Sequence, residues 1–292
     1  MFLENISLGV AVGLVALAAA SVSDIRTREV PDWLSFSLIF FAVGYAAMLS
    51  VYHGTSGFIV NSLIGLFIGL GVGMFMFYTG QWGGGDSKLI MGISAIFGFA
   101  IPGISRIHGD YELLIFMINA LFVGAAYGLT YSFWNAIVHI KSCRDEAKKL
   151  LGEKRIRMAR VFLLGFLVLA GAAYFFKPGP DSAIVLGISI AATAIFYAWI
   201  LVSSVEKVHM IRDVKVSELT EGDWVVNSVT KNGKAIFTPS KTGISLEEIA
   251  MLKKNNVRSV TIKIGIPFIP SFFIAYIITI VFGNWFVGLL TA

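Results

Sequence analysis

The sequence predicts an all-α polytopic membrane protein of about eight transmembrane helices, carrying a small cytoplasmic α+β domain. Three observations point there. Apolar residues make up 57% of the 292-residue chain and charged residues only 14%, against roughly 25% charged in soluble domains, and the mean hydropathy is +0.80. The apolar residues gather in runs close to the roughly 20 residues that cross a bilayer. Lys and Arg collect in alternate connections between those runs, as they do on the cytoplasmic side of membrane proteins.

The runs lie at about 5–23, 33–52, 57–79, 87–104, 112–137, 159–176, 183–204 and 265–290. The first is preceded by Glu4 and no Lys or Arg. It lacks the basic start of a secretory signal and reads as a retained helix. The fourth is short and rich in small residues. Gly65, Gly69 and Gly73 in the third run, and Gly9 and Gly13 in the first, recur every four residues, a spacing that lets helix backbones approach closely. An outside N-terminus and eight spans put 21 of the 23 Lys and Arg in the inside connections; Arg106 and Lys177 fall outside. Odd-numbered helices then run inward, and both termini lie outside. The net charge of +5 reports this orientation before it suggests nucleic acid, and none is expected as a partner.

The chain divides into a membrane core at 1–104, additional helices at 105–204 with a basic loop near 139–160, a cytoplasmic segment at 205–264 and a last helix at 265–292. The loop IKSCRDEAKKLLGEKRIRMAR reads as a basic amphipathic helix on the inner leaflet, against membrane lipid, with an ordinary topogenic charge cluster as the alternative. In the cytoplasmic segment, DWVVNSVTKNGKAIFTP reads as a hairpin turning at Asn232-Gly233. SLEEIAMLKKN reads as a helix with a Ser245–Glu248 capping box, and VRSVTIK as a strand.

Polar groups that a span tolerates poorly mark chemistry in membrane proteins. Asp24 ends the first span, in SVSDIRTREVPDWL, and Asp86 begins the fourth, in GQWGGGDSKLI. The expected topology brings both to the cytoplasmic end. Two facing carboxylates share a proton, so that one acts as general base on a water while the other donates to a carbonyl oxygen. The glycines before Asp86 would let an extended backbone pass close by. A helix start favours charge on Asp86, which leaves Asp24 as the protonated member. Taken singly, each has a structural reading: Asp86 as a helix N-cap, Asp24 as an interfacial charge paired with Arg26 or Arg28.

Other chemistries find less support. The single cysteine, Cys143, excludes an internal disulfide framework and a multi-cysteine zinc site. The four histidines are scattered without an i, i+4 pair, so no metal and no cofactor is expected. Ser94, in Gly92-Ile93-Ser94-Ala95, superficially matches a rhomboid-type serine motif, but it reads as a packing residue bonded back to its own turn.

The stretch D-I-R-T-R-E-V-P-D-W-L at 24–34 resembles the first motif of the type IV prepilin peptidases. Gly83-Gly84-Gly85-Asp86, followed by Ser87-Lys88, resembles their G-x-G-D motif, and the separation of 62 residues with two spans between also fits. GISLEEIAMLKKN and the later IGIPFIP resemble the C-terminal part of the archaeal members, the preflagellin and prepilin peptidases. The resemblance covers about 1–104 and 205–292. It implies a membrane aspartic endopeptidase that cuts the short basic leader from type IV pilin-like or archaellin precursors at the cytoplasmic face. Carried over, it makes Asp24 and Asp86 the catalytic pair and Gly83 and Gly85 supporting residues. Glu29 and Asp32 are candidate contacts for the leader.

The chain departs from the family pattern in two ways. With one cysteine it lacks the cytoplasmic cysteine cluster of many bacterial members, so their methyltransferase activity is not expected. The stretch 105–204 adds helices that the smaller archaeal members lack. Two rivals differ in testable features. A presenilin-like intramembrane protease shares G-x-G-D, but its adjoining tyrosine and Pro-Ala-Leu motifs are absent here. A transporter would place polar groups near the midplane of inverted repeats, and no repeat is evident.

Overall fold

The computed structural model describes residues 7–100, 111–231, 234–240, 242–283 and 285. The chain is a helical polytopic membrane protein. Six helices are long and apolar enough to cross a bilayer: α1 (Leu8–Thr27), α2 (Asp32–Tyr52), α3 (Gly57–Tyr78), α5 (Glu112–Val138), α7 (Lys154–Phe176), and α8 (Pro180–Val205), which a π-turn extends to Met210. Two further apolar helices, α4 (Gly84–Phe97) and α10 (Ile269–Phe282), hold 14 residues each. At 1.5 Å per residue each covers about 21 Å, short of the roughly 30 Å hydrocarbon core. The end of the expected fourth span, up to 104, lies partly outside the described residues.

The chain forms two compact units, Met1–Tyr127 with Asp213–Ala292, and Gly128–Arg212. In the first, α1, α4, α10 and the start of α5 bury a common core of Leu17, Ala20, Leu89, Ile90, Ile93, Phe116, Phe272 and Tyr276. The glycine stripe of α3 sets how closely α4 can approach. A Cβ on Gly65 would collide with the Ser94 carbonyl oxygen, one on Gly69 would stand 2.6 Å from Ser94 Oγ, and one on Gly73 2.9 Å from the Ser87 carbonyl oxygen. Short polar bonds use the same proximity: Ser62 Oγ donates to the Ala95 carbonyl at 2.8 Å and Ser87 Oγ to the Gly73 carbonyl at 3.0 Å. Ser94 corrects the sequence reading. Its buried hydroxyl makes no bond back to its own turn and has no hydrogen-bond partner among the described residues, because the side chain turns across onto Gly69 of α3.

The same unit contains a small α+β fold. Strands β1 (Ile211–Lys215), β5 (Ser259–Lys263) and β2 (Trp224–Val225) form a sheet in the order β1-β5-β2, with β2 antiparallel to β5 in the register Val225 to Ile262. Strands β3 (Val229–Lys231) and β4 (Lys234–Phe237) pair antiparallel as a separate hairpin. The expected hairpin is therefore shorter than predicted, because Trp224 and Val225 join the other sheet; its turn, Asn232-Gly233, lies outside the described residues. Helix α9 (Leu246–Lys254) carries the predicted capping box: Ser245 Oγ accepts from the Glu248 N–H at 3.2 Å, and Glu248 Oε2 accepts from the Ser245 N–H at 2.9 Å. Val216, Val225, Phe237, Ile249, Leu252 and Ile262 form its apolar centre.

In the second unit, α6 (Ile140–Gly152) turns Cys143 and Leu150 inward and leaves Lys141, Arg144, Lys148 and Lys149 exposed. Glu146 accepts from Lys207 Nζ at 3.1 Å and from Lys149 Nζ at 3.2 Å. These bonds, Lys207's first, hold its carboxyl below the usual glutamate value. A lowered native value gives stability that is present above the ordinary value, near 4.3, and is lost as pH falls through the native one. Glu146→Gln is therefore expected to weaken hydrogen-exchange protection of α6 at pH 7. The lysines are largely solvated, so the loss is at most about 1 kcal/mol, and the difference from wild type should shrink as pH falls below the ordinary glutamate range.

Candidate functional site

Asp24 lies in the last turn of α1 and is 5% exposed. The helix ends at Arg28, whose backbone is left-handed at φ 61° and whose N–H returns to the Asp24 carbonyl at 2.9 Å. Ser23 Oγ then closes the turn by donating to the Glu29 carbonyl at 2.8 Å, and Val30 tucks in as a buried residue before α2 begins. One Asp24 carboxylate oxygen, Oδ2, accepts from the Ile269 N–H at 2.9 Å. Ile269 is the first residue of α10, and the first N–H groups of a helix have no partner inside it. Asp24 supplies one from another helix. Arg28 reinforces the junction by donating from Nη1 to the Gly265 carbonyl at 3.0 Å.

Asp86 is the third residue of α4, not its N-cap. Gly83 takes the cap position, and Asp86 Oδ2 accepts from the Gly83 N–H at 3.0 Å. The glycines before it differ in use. The positive φ in this turn, 72°, belongs to Gly80, whereas Gly83 has an ordinary φ of −72°. Gly85 is small because Val30 needs the space: a Cβ there would lie 3.0 Å from Val30 Cβ. Gly83 is open, with only the Asp86 carboxylate within 4 Å of such a Cβ. Trp82 is buried against Phe272 of α10, ring centroids 5.0 Å apart, and anchors the turn.

The Val30–Gly85 contact holds the turn that follows α1 against the start of α4. Two aspartates 62 residues apart thus lie at the same end of the helical core, each bonded to its own backbone N–H. The helix-start argument that singled out Asp86 as the charged member applies equally to Asp24, since each accepts a backbone N–H at the start of a helix. Neither carboxylate is distinguished by it.

The candidate leader contacts follow Asp24 in the turn before α2 and at the start of α2. Glu29 Oε1 accepts from Thr220 Oγ1 of the small domain at 3.3 Å. Asp32, at the start of α2, pairs with Lys88 of α4 at 2.7 Å, and the Lys88 ammonium stands 5.5 Å from the centre of the Phe36 ring. Sequence reasoning missed Ile269 and Trp82. It also missed that His139 and His209 meet in the second unit, with ring centroids 5.2 Å apart. Among the described residues no group of three or more His, Cys, Asp or Glu is arranged to hold a metal.

Residues 11–129 match the type IV leader peptidase family. The chain is similar to the preflagellin peptidase of Methanocaldococcus jannaschii, 36% identical over 157 residues, covering 49% of this chain and 65% of that protein. It is also similar to those of Methanococcus maripaludis, 35% identical over 85 residues (29% of this chain, 36% of the relative), and Methanococcus voltae, 31% over 104 residues (35% and 44%). The matches thus span less than two thirds of each relative's length. No solved structure is matched. The stretch that matches the type IV leader peptidase family, 11–129, holds both aspartates.

Proposed function

We propose that the protein is a membrane aspartic endopeptidase that removes the leader from type IV pilin-like or archaellin precursors. The observation that supports this reading is the Val30–Gly85 contact, which holds the turn after Asp24 against the residue that precedes Asp86. In the proposed mechanism a water lies between the two carboxyl groups. The ionised one takes its proton as the oxygen attacks the scissile carbonyl, and the protonated one donates to the carbonyl oxygen as it becomes tetrahedral. Collapse of the intermediate expels the amine, which takes a proton back from the pair. The Ile269 and Gly83 N–H groups hold one oxygen of each carboxylate and leave the other to the reaction. Gly83, where no side chain obstructs, is where an extended substrate backbone would pass, and Gly85 supports the site by admitting Val30.

In this reading α4 and α10 complete eight membrane-embedded helices, both termini lie outside, the site opens at the cytoplasmic face, and the small α+β fold is cytoplasmic. Membranes containing the protein are expected to convert a preflagellin-like precursor into a product shortened at its N-terminus, located by mass spectrometry just before the precursor's apolar helix. Uncut precursor, together with solute uptake that depends on either aspartate, would favour the transporter instead.

A further inference from the structure

We propose that Asp32 and Phe36 form a subsite for a cationic side chain of the substrate, and that Lys88 occupies it while the protein is free. The proposal rests on the peptidase reading above and adds to it Phe36 as a second wall of the subsite and Lys88 as its resident cation. Its basis is that the structure already holds an ammonium there. Lys88 Nζ lies 2.7 Å from Asp32 Oδ1 and 5.5 Å from the centre of the Phe36 ring, so a carboxylate and an aromatic face converge on one cation, the two groups best suited to hold a lysine or arginine side chain.

Three features make Lys88 a replaceable occupant. The Asp32 side chain is 62% exposed and that of Lys88 36%, so the pair is reachable from water. Exposed ion pairs are weak, so little holds Lys88 against a competitor, and its flexible stem can carry the displaced ammonium into solvent. The pair also stands beside the reaction site: Lys88 follows Asp86 by two residues on α4, and Asp32 follows Val30, which touches Gly85, by two. Residues two apart on a helix project about 200° apart, so Lys88 and Asp86 leave α4 on nearly opposite sides. A peptide engaging both sites would therefore bind its cation apart from the bond that is cut. Glu29, the other acidic residue of this loop, is bridged to Thr220 of the small domain and is a weaker candidate.

The test uses the full-length protein and two precursors that differ only by replacement of the leader's lysines and arginines with glutamine. Wild type is expected to prefer the cationic precursor. Asp32→Asn should raise KM for that precursor about five-fold, the upper range for an exposed ion pair, leave kcat nearly constant, and not change KM for the neutral one. Lys88→Gln, which vacates the subsite, should lower KM for the cationic precursor. The neutral precursor reports whether each variant is folded. Equal effects of Asp32→Asn on both precursors, an effect on neither, or equal use of the two precursors by wild type would overturn the subsite. Asp24→Asn, measured alongside, separates the two ideas: inactivity towards both precursors keeps the peptidase reading whatever Asp32 does, and cleavage by that variant would overturn that reading.

Discussion

Asp24→Asn and Asp86→Asn are each expected to lose essentially all cleavage, by about 10²–10⁴-fold or more if the pair acts as general acid and base, while each variant inserts and folds. The substitution separates the structural role of the carboxylates from the chemical one. Asp24 accepts from the Ile269 N–H and Asp86 from the Gly83 N–H, and an asparagine side-chain carbonyl can accept both bonds. Asparagine serves nearly as well as aspartate at helix starts. If the aspartates merely fasten helices, both variants should remain active. An asparagine cannot take a proton from water, however, so a catalytic pair fails with the architecture intact. Cleavage of a precursor at matched protein levels, with thermal unfolding of the purified variants as the check on folding, gives the result.

Gly69→Leu is expected to dismantle the α3–α4 contact. Even a Cβ at this position would stand 2.6 Å from Ser94 Oγ and 3.0 Å from the Met91 Cα, and the neighbouring backbone cannot yield without separating the helices. Overpacking a filled interior typically costs about 1–3 kcal/mol. Here separation would also break the Ser62–Ala95 and Ser87–Gly73 hydrogen bonds, each worth about 1 kcal/mol net. The melting temperature should fall sharply, and activity should fall with it because α4 carries Asp86. Gly71→Leu is the control. It lies on the same helix, where an added Cβ meets nothing within 4 Å, and should change stability by no more than about 0.5 kcal/mol. Equal losses from the two substitutions would mean that leucine disturbs α3 itself and not its contact with α4.

Much of this was legible in the sequence because it depends on local pattern. The long apolar runs became α1, α2, α3, α5, α7 and α8, and the four-residue glycine spacing became the face of α3 that admits α4. The Ser245–Glu248 box was readable because both of its bonds lie within three residues. What escaped was long-range or geometric. The bond from Ile269 to Asp24 crosses 245 residues and uses a backbone donor, which no residue type announces. The role of Val30 in explaining Gly85 depends on how the α1–α2 turn folds over α4. Asp86 looked like an N-cap because residue preference cannot distinguish that position from the third residue, where a carboxylate also meets a free N–H. Ser94 was read from helix geometry alone, and the partner helix decided its orientation. His139 and His209 lie 70 residues apart, so no local spacing could pair them.

In the proposed mechanism Asp24 and Asp86 act as one catalytic unit. Residues that do so are not additive: removing the second costs nothing once the first is gone. The most direct measurement is the precursor-cleavage rate of Asp24→Asn, Asp86→Asn and the double variant at equal amounts of folded protein. Three equal rates are expected, all far below wild type. Appreciable cleavage by either single variant, or a double variant whose loss is the product of the two single losses, would contradict the proposed mechanism.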